Sequence, residues 1–286
     1  MIRLFADSTC DLGKDIVCEL GITIIPLYVS LGNQRGRDGI DITPEKIFAW
    51  SDETKSTPKT SAFSIADAMD AMREAVEAED DIIFIGISEL MSASCQVVRL
   101  AAEEFFWSEH TFVINSKNLS NGLAILLLHA AKLIKDGLSA PEIADILRSM
   151  IDNLRSHFIV DTLTYLSRGG RCTQATALLA SALSLKPEIY LSDGAMLVGK
   201  KFRGKTADTH LKFAKSLKDA MLKADPEVLF LNSSQIEPEI VDSIYEYIAG
   251  LNHFKVIYRT ATGSIISSHC GPGTVGIFFL NGKTDH

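Results

Sequence analysis

Residues 162–171, TLTYLSRGGR, set a fixed positive charge directly behind two glycines. Without a Cβ, Gly169 and Gly170 let the backbone take φ > 0 or let a neighbour approach closely, so the turn can aim Arg171 inward. An inward guanidinium needs an anion, and its planar fork of donors suits a carboxylate or a phosphate. On the surface the same arginine is merely solvated. Hydroxyl groups supply the other half of an anion site. Thr60 and Ser61 lie in the stretch 57–64, which reads as a polar loop, and Ser92 stands before a helix expected from Ala93. Free N–H groups and the helix dipole favour an anion there, although a plain N-cap is the commoner role of such a serine. His269 precedes a Gly271-Pro272-Gly273 turn and can donate to an anion or act as a base, or simply be hydrogen-bonded in a loop.

The elements that must position these groups read as α/β. In the N-terminal half, β-rich runs at residues 2–6, 22–30, 82–88 and 111–115 alternate with helical patterns, as in a parallel sheet covered by helices. Ser64 with Asp67 forms a capping box ahead of a helix whose Ile65, Ala68, Met69, Met72 and Val76 share one core-facing side. Ser139 with Glu142 opens another, expected to run to about Ser156. Polar small residues follow the strands, Asp7-Ser8-Thr9 after the first, Ser88 and Ser92 after the third, Asn115-Ser116 after the fourth. Ligands of open parallel sheets collect at such strand ends. Beyond Arg171 the pattern predicts a helix over 173–183, a hairpin turning at Asp193-Gly194, a long helix over 206–223, a strand at 228–231, a helix over 238–249, a strand at 255–258 and a final strand over 275–280. Gly194 to Lys200 spells GxxxxGK, but Lys201 occupies the magnesium-binding hydroxyl position and the setting is a hairpin, so it is no phosphate loop.

The 286 residues exceed what one core usually organises, and two domains are expected, 1–156 and 157–286. Charge divides the same way. Residues 1–155 carry 14 basic and 24 acidic groups, whereas 156–286 carry 14 and 12. Ten basic against three acidic residues within 165–218 can steer an acidic partner. A net charge of −8 and the lack of aromatics interleaved with the basic groups argue against nucleic acid. Apolar runs are too short to span a bilayer, and Met1-Ile2-Arg3 leads straight into a strand without a signal peptide, so a cytoplasmic protein is expected. Five scattered cysteines with no zinc spacing read as reduced thiols.

Together the motifs resemble the DegV family of bacterial fatty-acid-binding proteins over nearly the whole chain. The resemblance rests on Asp7-Ser8-Thr9, on 37–42 (RDGIDI), on Thr60-Ser61 with Ser64, on Ser88 with Ser92 and Gln96, and on 160–163 (VDTL) through Gly169-Gly170-Arg171. Lys186-Pro187, Lys200 with Arg203-Gly204, and His269 with Gly271-Pro272-Gly273 complete it. It implies an N-terminal parallel-sheet domain and a C-terminal mixed-sheet domain with an acyl chain such as palmitate, stearate or oleate buried between them. Thr60 and Ser92 would hold the carboxylate, with Ser61 and Ser94 beside them and Arg171, Arg203 and His269 near the head group. The resemblance further implies a carrier and not an enzyme, without cofactor or metal, that presents its acid to a separate fatty acid kinase and serves lipid transport or fatty acid metabolism. The sequence departs from the family pattern at Phe63, Ala93 and Cys95, which leaves the tail preference open.

Two other readings compete. A serine-dependent acyl-ester hydrolase would use Ser92 or Ser61 as nucleophile and His269 as base, but no GxSxG elbow presents the serine. A polyanion-binding module would use the basic region, which reads better as a docking face for the kinase.

Overall fold

The computed structural model describes residues 1–174 and 185–282, so most of the helix expected over 173–183 lies outside the described residues. The N-terminal half holds strands β1 (Ile2–Asp7), β2 (Ile22–Ile25), β3 (Tyr28–Leu31), β4 (Gln34–Arg37), β5 (Lys59–Ser61), β6 (Asp81–Gly86) and β7 (Thr111–Asn115). β1, β2, β6 and β7 form a parallel sheet in the order β2-β1-β6-β7. The order reverses between β1 and β6, which opens a crevice at their carboxyl ends.

The run expected as one strand over 22–30 is two. Pro26 cannot donate to a ladder, and the chain leaves the parallel sheet there to enter a small antiparallel sheet, β4-β3-β5. The polar stretch around Thr60, expected as a loop, is the edge strand β5, with Thr60 opposite Val29. Backbone pairing makes it a strand where side-chain pattern gives no sign.

The C-terminal half holds β8 (Leu154–Ile159), β9 (Leu185–Ser192), β10 (Ala195–Arg203), β11 (Ala224–Ser234), β12 (Val256–Ala261) and β13 (Thr274–Asn281). They form a mixed sheet in the order β10-β9-β8-β13-β11-β12, in which β11 and β12 alone pair in parallel. The Asp193-Gly194 turn joins β9 to β10 with both residues at positive φ, 47° and 81°, as a tight hairpin requires. The helix opened by the Ser139–Glu142 box ends at Met150, not near Ser156. From Leu154 the chain alternates buried and partly exposed residues as β8, so the expected boundary at 156/157 falls inside a strand of the second sheet. The helix expected over 206–223 is broken into Thr206–Ser216 and Lys218–Met221.

One helix, Asn121–Lys135, binds the halves together. It packs on β1 and β6 of the first sheet and on β8, β11 and β13 of the second. Its residues from Asn121 to Leu127 are all buried, so the apolar run within it is a core helix covered from both sides. Three buried clusters result, one across both halves and one on the outer face of each sheet. Among the described residues no helix is long and apolar enough to cross a membrane. Cys10, Cys95, Cys172 and Cys270 are buried and Cys18 is exposed.

Candidate binding site and inter-domain cavity

A cavity of about 550 Å³ lies between the two halves, within the range of roughly 300–1,000 Å³ usual for small-molecule sites. Leu27, Ile87, Leu119, Phe158, Leu166, Met196, Ile265 and Phe278 give it apolar walls drawn from both sheets. Thr60, Ser61, Ser92, Arg171 and His269 also line it.

His269 is held by close packing and not by a turn. It lies on the last turn of a short helix, Ser264–Cys270, that sequence pattern does not reveal. Its Nε2 is 2.8 Å from the Thr60 hydroxyl, and its Nδ1 is buried without a partner among the described residues. Gly169 explains the fit. A Cβ there would lie 2.3 Å from His269 Nδ1, so only glycine admits the ring. Gly170, at φ 71°, ends the helix Thr164–Gly169 in the left-handed conformation. The two glycines thus seat the histidine and turn the chain, and Arg171 lies at the rim. Its Nη1 donates to the Gly169 carbonyl at 2.7 Å and its Nε to the Met91 carbonyl at 3.4 Å.

Burial lowers the His269 pKa to about 4, with the Arg171 charge adding to the effect, so the ring is neutral near pH 7. A neutral imidazole has one N–H. Placing it on Nε2 leaves Nδ1 as a lone pair against Gly169, which costs less than an orphaned N–H. Nε2 then donates to Thr60 Oγ1, which leaves the Thr60 proton free for another acceptor. Ser92 is arranged in the same sense. The helix begins at Ser94, one residue later than expected, and Ser92 Oγ accepts from Ser94 N at 3.3 Å and lies 2.8 Å from Ser94 Oγ. Ser94 is fully buried behind it. With Ser94 as donor, Ser92 keeps its own proton for the cavity. Two O–H donors and a guanidinium therefore line one cavity, a set that suits a carboxylate.

The structure does not bring Arg203 to this group. It is exposed at the end of β10, opposite Leu185, and does not line the cavity. The ring nitrogen required by a serine nucleophile is paired with Thr60 and with neither Ser92 nor Ser61. Among the described residues no cluster of three or more His, Cys, Asp or Glu side chains could hold a metal. Sequence reasoning missed Leu27, Ser120, Asn232 and Thr262, which also line the cavity. Their proximity is set by long-range pairing of the sheets, which leaves no local signal.

Two α/β units flanking a cavity with apolar walls and a hydroxyl- and arginine-bearing side define the class: a two-domain protein with an amphipathic chamber at its domain junction. The DegV family model matches residues 1–282, and the chain belongs to the DegV family. A structure described as fatty acid binding of a DegV family protein from Thermus thermophilus is similar at TM-score 0.90 and 30% identity, covering 98% of this chain and 99% of that one. DegV of Bacillus subtilis, described as a fatty acid binding protein, gives 0.85 at 25% identity over 98% and 99%. A stearic acid-binding protein from Eubacterium ventriosum gives 0.85 at 27% identity over 98% of each chain. A DegV domain-containing protein of Deinococcus radiodurans is 29% identical over 276 residues, 96% of this chain and 97% of that protein.

Proposed function

We propose that this protein binds a long-chain fatty acid of the palmitate, stearate or oleate type and presents its carboxylate to a separate kinase, as a carrier in lipid transport or fatty acid metabolism. The observation that carries the reading is the Thr60–His269 pair on the polar side of a cavity whose other walls are mainly apolar. The pairing leaves a hydroxyl proton for a carboxylate, and Ser92 and Arg171 supply further donors. Three relatives described as binding fatty acids, similar in fold over nearly their whole length, support it. The affinity comes from the tail, at about 0.8 kcal/mol per buried CH₂ before ordering costs are subtracted. The head group sets orientation, because a carboxylate taken from water must regain its hydrogen bonds.

The test is titration of delipidated protein with palmitic acid and with methyl palmitate. Saturable, stoichiometric binding of the acid and markedly weaker binding of the ester is the expected result. Equal affinity for the two would remove the head-group assignment, and binding of neither would remove the function. The kinase step has its own check. The basic stretch that includes Lys201 and Lys205 is the proposed docking face, and reversing both charges should slow phosphorylation of the bound acid without changing acid affinity.

A further inference from the structure

Two motifs, Asp7-Ser8-Thr9 and Arg37-Asp38-Gly39, have no part in holding the head group as described above. Ser8 of the first and Asp38 of the second meet in one place. Ser8 Oγ donates to Asp38 Oδ2 at 2.8 Å and accepts from Leu27 N at 3.1 Å. The Asp38 backbone is fixed by its own N–H, which donates to the Leu27 carbonyl at 2.8 Å. The free oxygen, Asp38 Oδ1, accepts from Ser264 N at 2.7 Å, and Asp11 Oδ1 accepts from Gly263 N, also at 2.7 Å. Asp11 is held in turn by the Ser120 hydroxyl. Both contacts cross between the halves, over 226 and 252 positions of sequence, and both carboxyls are buried.

We infer that Asp38 and Asp11 are positioning residues for the head group: from the N-terminal half they clasp the Gly263 and Ser264 N–H groups that open the helix carrying His269 in the C-terminal half. The inference rests on the proposed function, which assigns His269 to the head-group wall. Several observations make the clasp more than a point of adhesion. The helix is only seven residues long, about 10 Å at 1.5 Å per residue, so a shift at its first turn is carried to its last. At that last turn the ring has little room, with Thr60 on one nitrogen and the backbone of Gly169 against the other. The clasp also has a third fastening, Ser264 Oγ to the Ile42 carbonyl at 2.8 Å, on the segment that follows Asp38. A helix end with unpaired N–H groups is satisfied here by side chains of the opposite half. The histidine is therefore placed beside Thr60 by residues that touch neither it nor the cavity.

The experiment is a double-mutant cycle on delipidated protein, titrated with palmitic acid and with cetyl alcohol, each variant being checked by thermal unfolding. Asp38→Ala should weaken acid binding by roughly five- to tenfold, the scale of a lost cap, and change alcohol binding little. Asp38→Asn, which keeps an acceptor for Ser264 N, should restore acid affinity. In a His269→Ala background the Asp38→Ala effect should vanish, since the residue acts through the ring. Gly263→Ala provides a milder second variant if Asp38→Ala does not fold. Its methyl would stand 3.2 Å from Asp11 Oδ1 and 3.4 Å from both Asp38 oxygens, and it should weaken acid binding in the same His269-dependent way. Losses equal for acid and alcohol, or additive with His269→Ala, overturn the inference while leaving the function standing. Wild-type protein that binds no acid overturns both.

Discussion

The hydroxyl of Thr60 and the Nε2 of His269 lie 2.8 Å apart although 209 positions separate them in the chain. Thr60 belongs to the edge strand of a small sheet in the first half, and His269 to a short helix of the second. Their contact joins the two halves at the cavity wall.

Replacing Thr60 by Val keeps shape and removes the donor, and Ser92→Ala does the same on the facing motif. A hydrogen bond to a charged group is worth about 1.5–3 kcal/mol. Each single variant should therefore lose about tenfold or more in fatty-acid affinity, and the double variant more again, with the protein still folded but unfolding at a lower temperature, because the buried His269 Nε2 and Ser94 hydroxyl lose their partners. Titration calorimetry checks this.

Gly169→Ala tests the seat of the ring. Alanine at a helix end is ordinarily neutral or favourable, but here its Cβ would lie 2.3 Å from His269 Nδ1. The ring must move, and overpacking of this kind costs about 1–3 kcal/mol. Denaturant unfolding should show the loss, together with weakened acid binding.

Much of the frame was legible in residues. The Ser64–Asp67 and Ser139–Glu142 boxes opened helices where expected, and β7 matches its apolar run. The failures have physical causes. β5 has three polar residues and exists by pairing with β3, so no side-chain period announces it. The helix Asn121–Lys135 is covered by two sheets and has no polar stripe along its first turns. Ser264–Cys270 depends on a clasp from Asp11 and Asp38, more than 220 residues away. Within the candidate site, Thr60, Ser61, Ser92, Arg171 and His269 were visible as residue types and do share the cavity. Arg203 was equally visible as a type, and sheet register carries it elsewhere.

His269 gives a pH signature. Its pKa is lowered to about 4 in the folded chain from the ordinary 6.5. The unfolded chain therefore binds the proton more readily, and the stability that depends on this group is present above about 6.5 and lost as pH falls toward 4. His269→Gln should flatten that acid limb in thermal unfolding measured without ligand.

Asp11 has the opposite sign. Burial raises its pKa to about 8, and Asp7 beside it to about 6. Such groups favour the folded state most below the ordinary carboxyl range, and that contribution declines as pH rises from about 4 through about 8. Asp11→Asn keeps an acceptor for Gly263 N without an ionisable proton. The variant should lose less stability than wild type between pH 5 and pH 9, read by chemical denaturation at each pH.

The central claim is that the cavity holds a long-chain acid. Its most direct test is mass spectrometry of a solvent extract from protein purified without added lipid, followed by titration of the stripped protein with palmitic acid. The account predicts a long-chain fatty acid near one per chain in the extract, or saturable uptake at that ratio by the stripped protein. An extract free of such acid together with no uptake would contradict it.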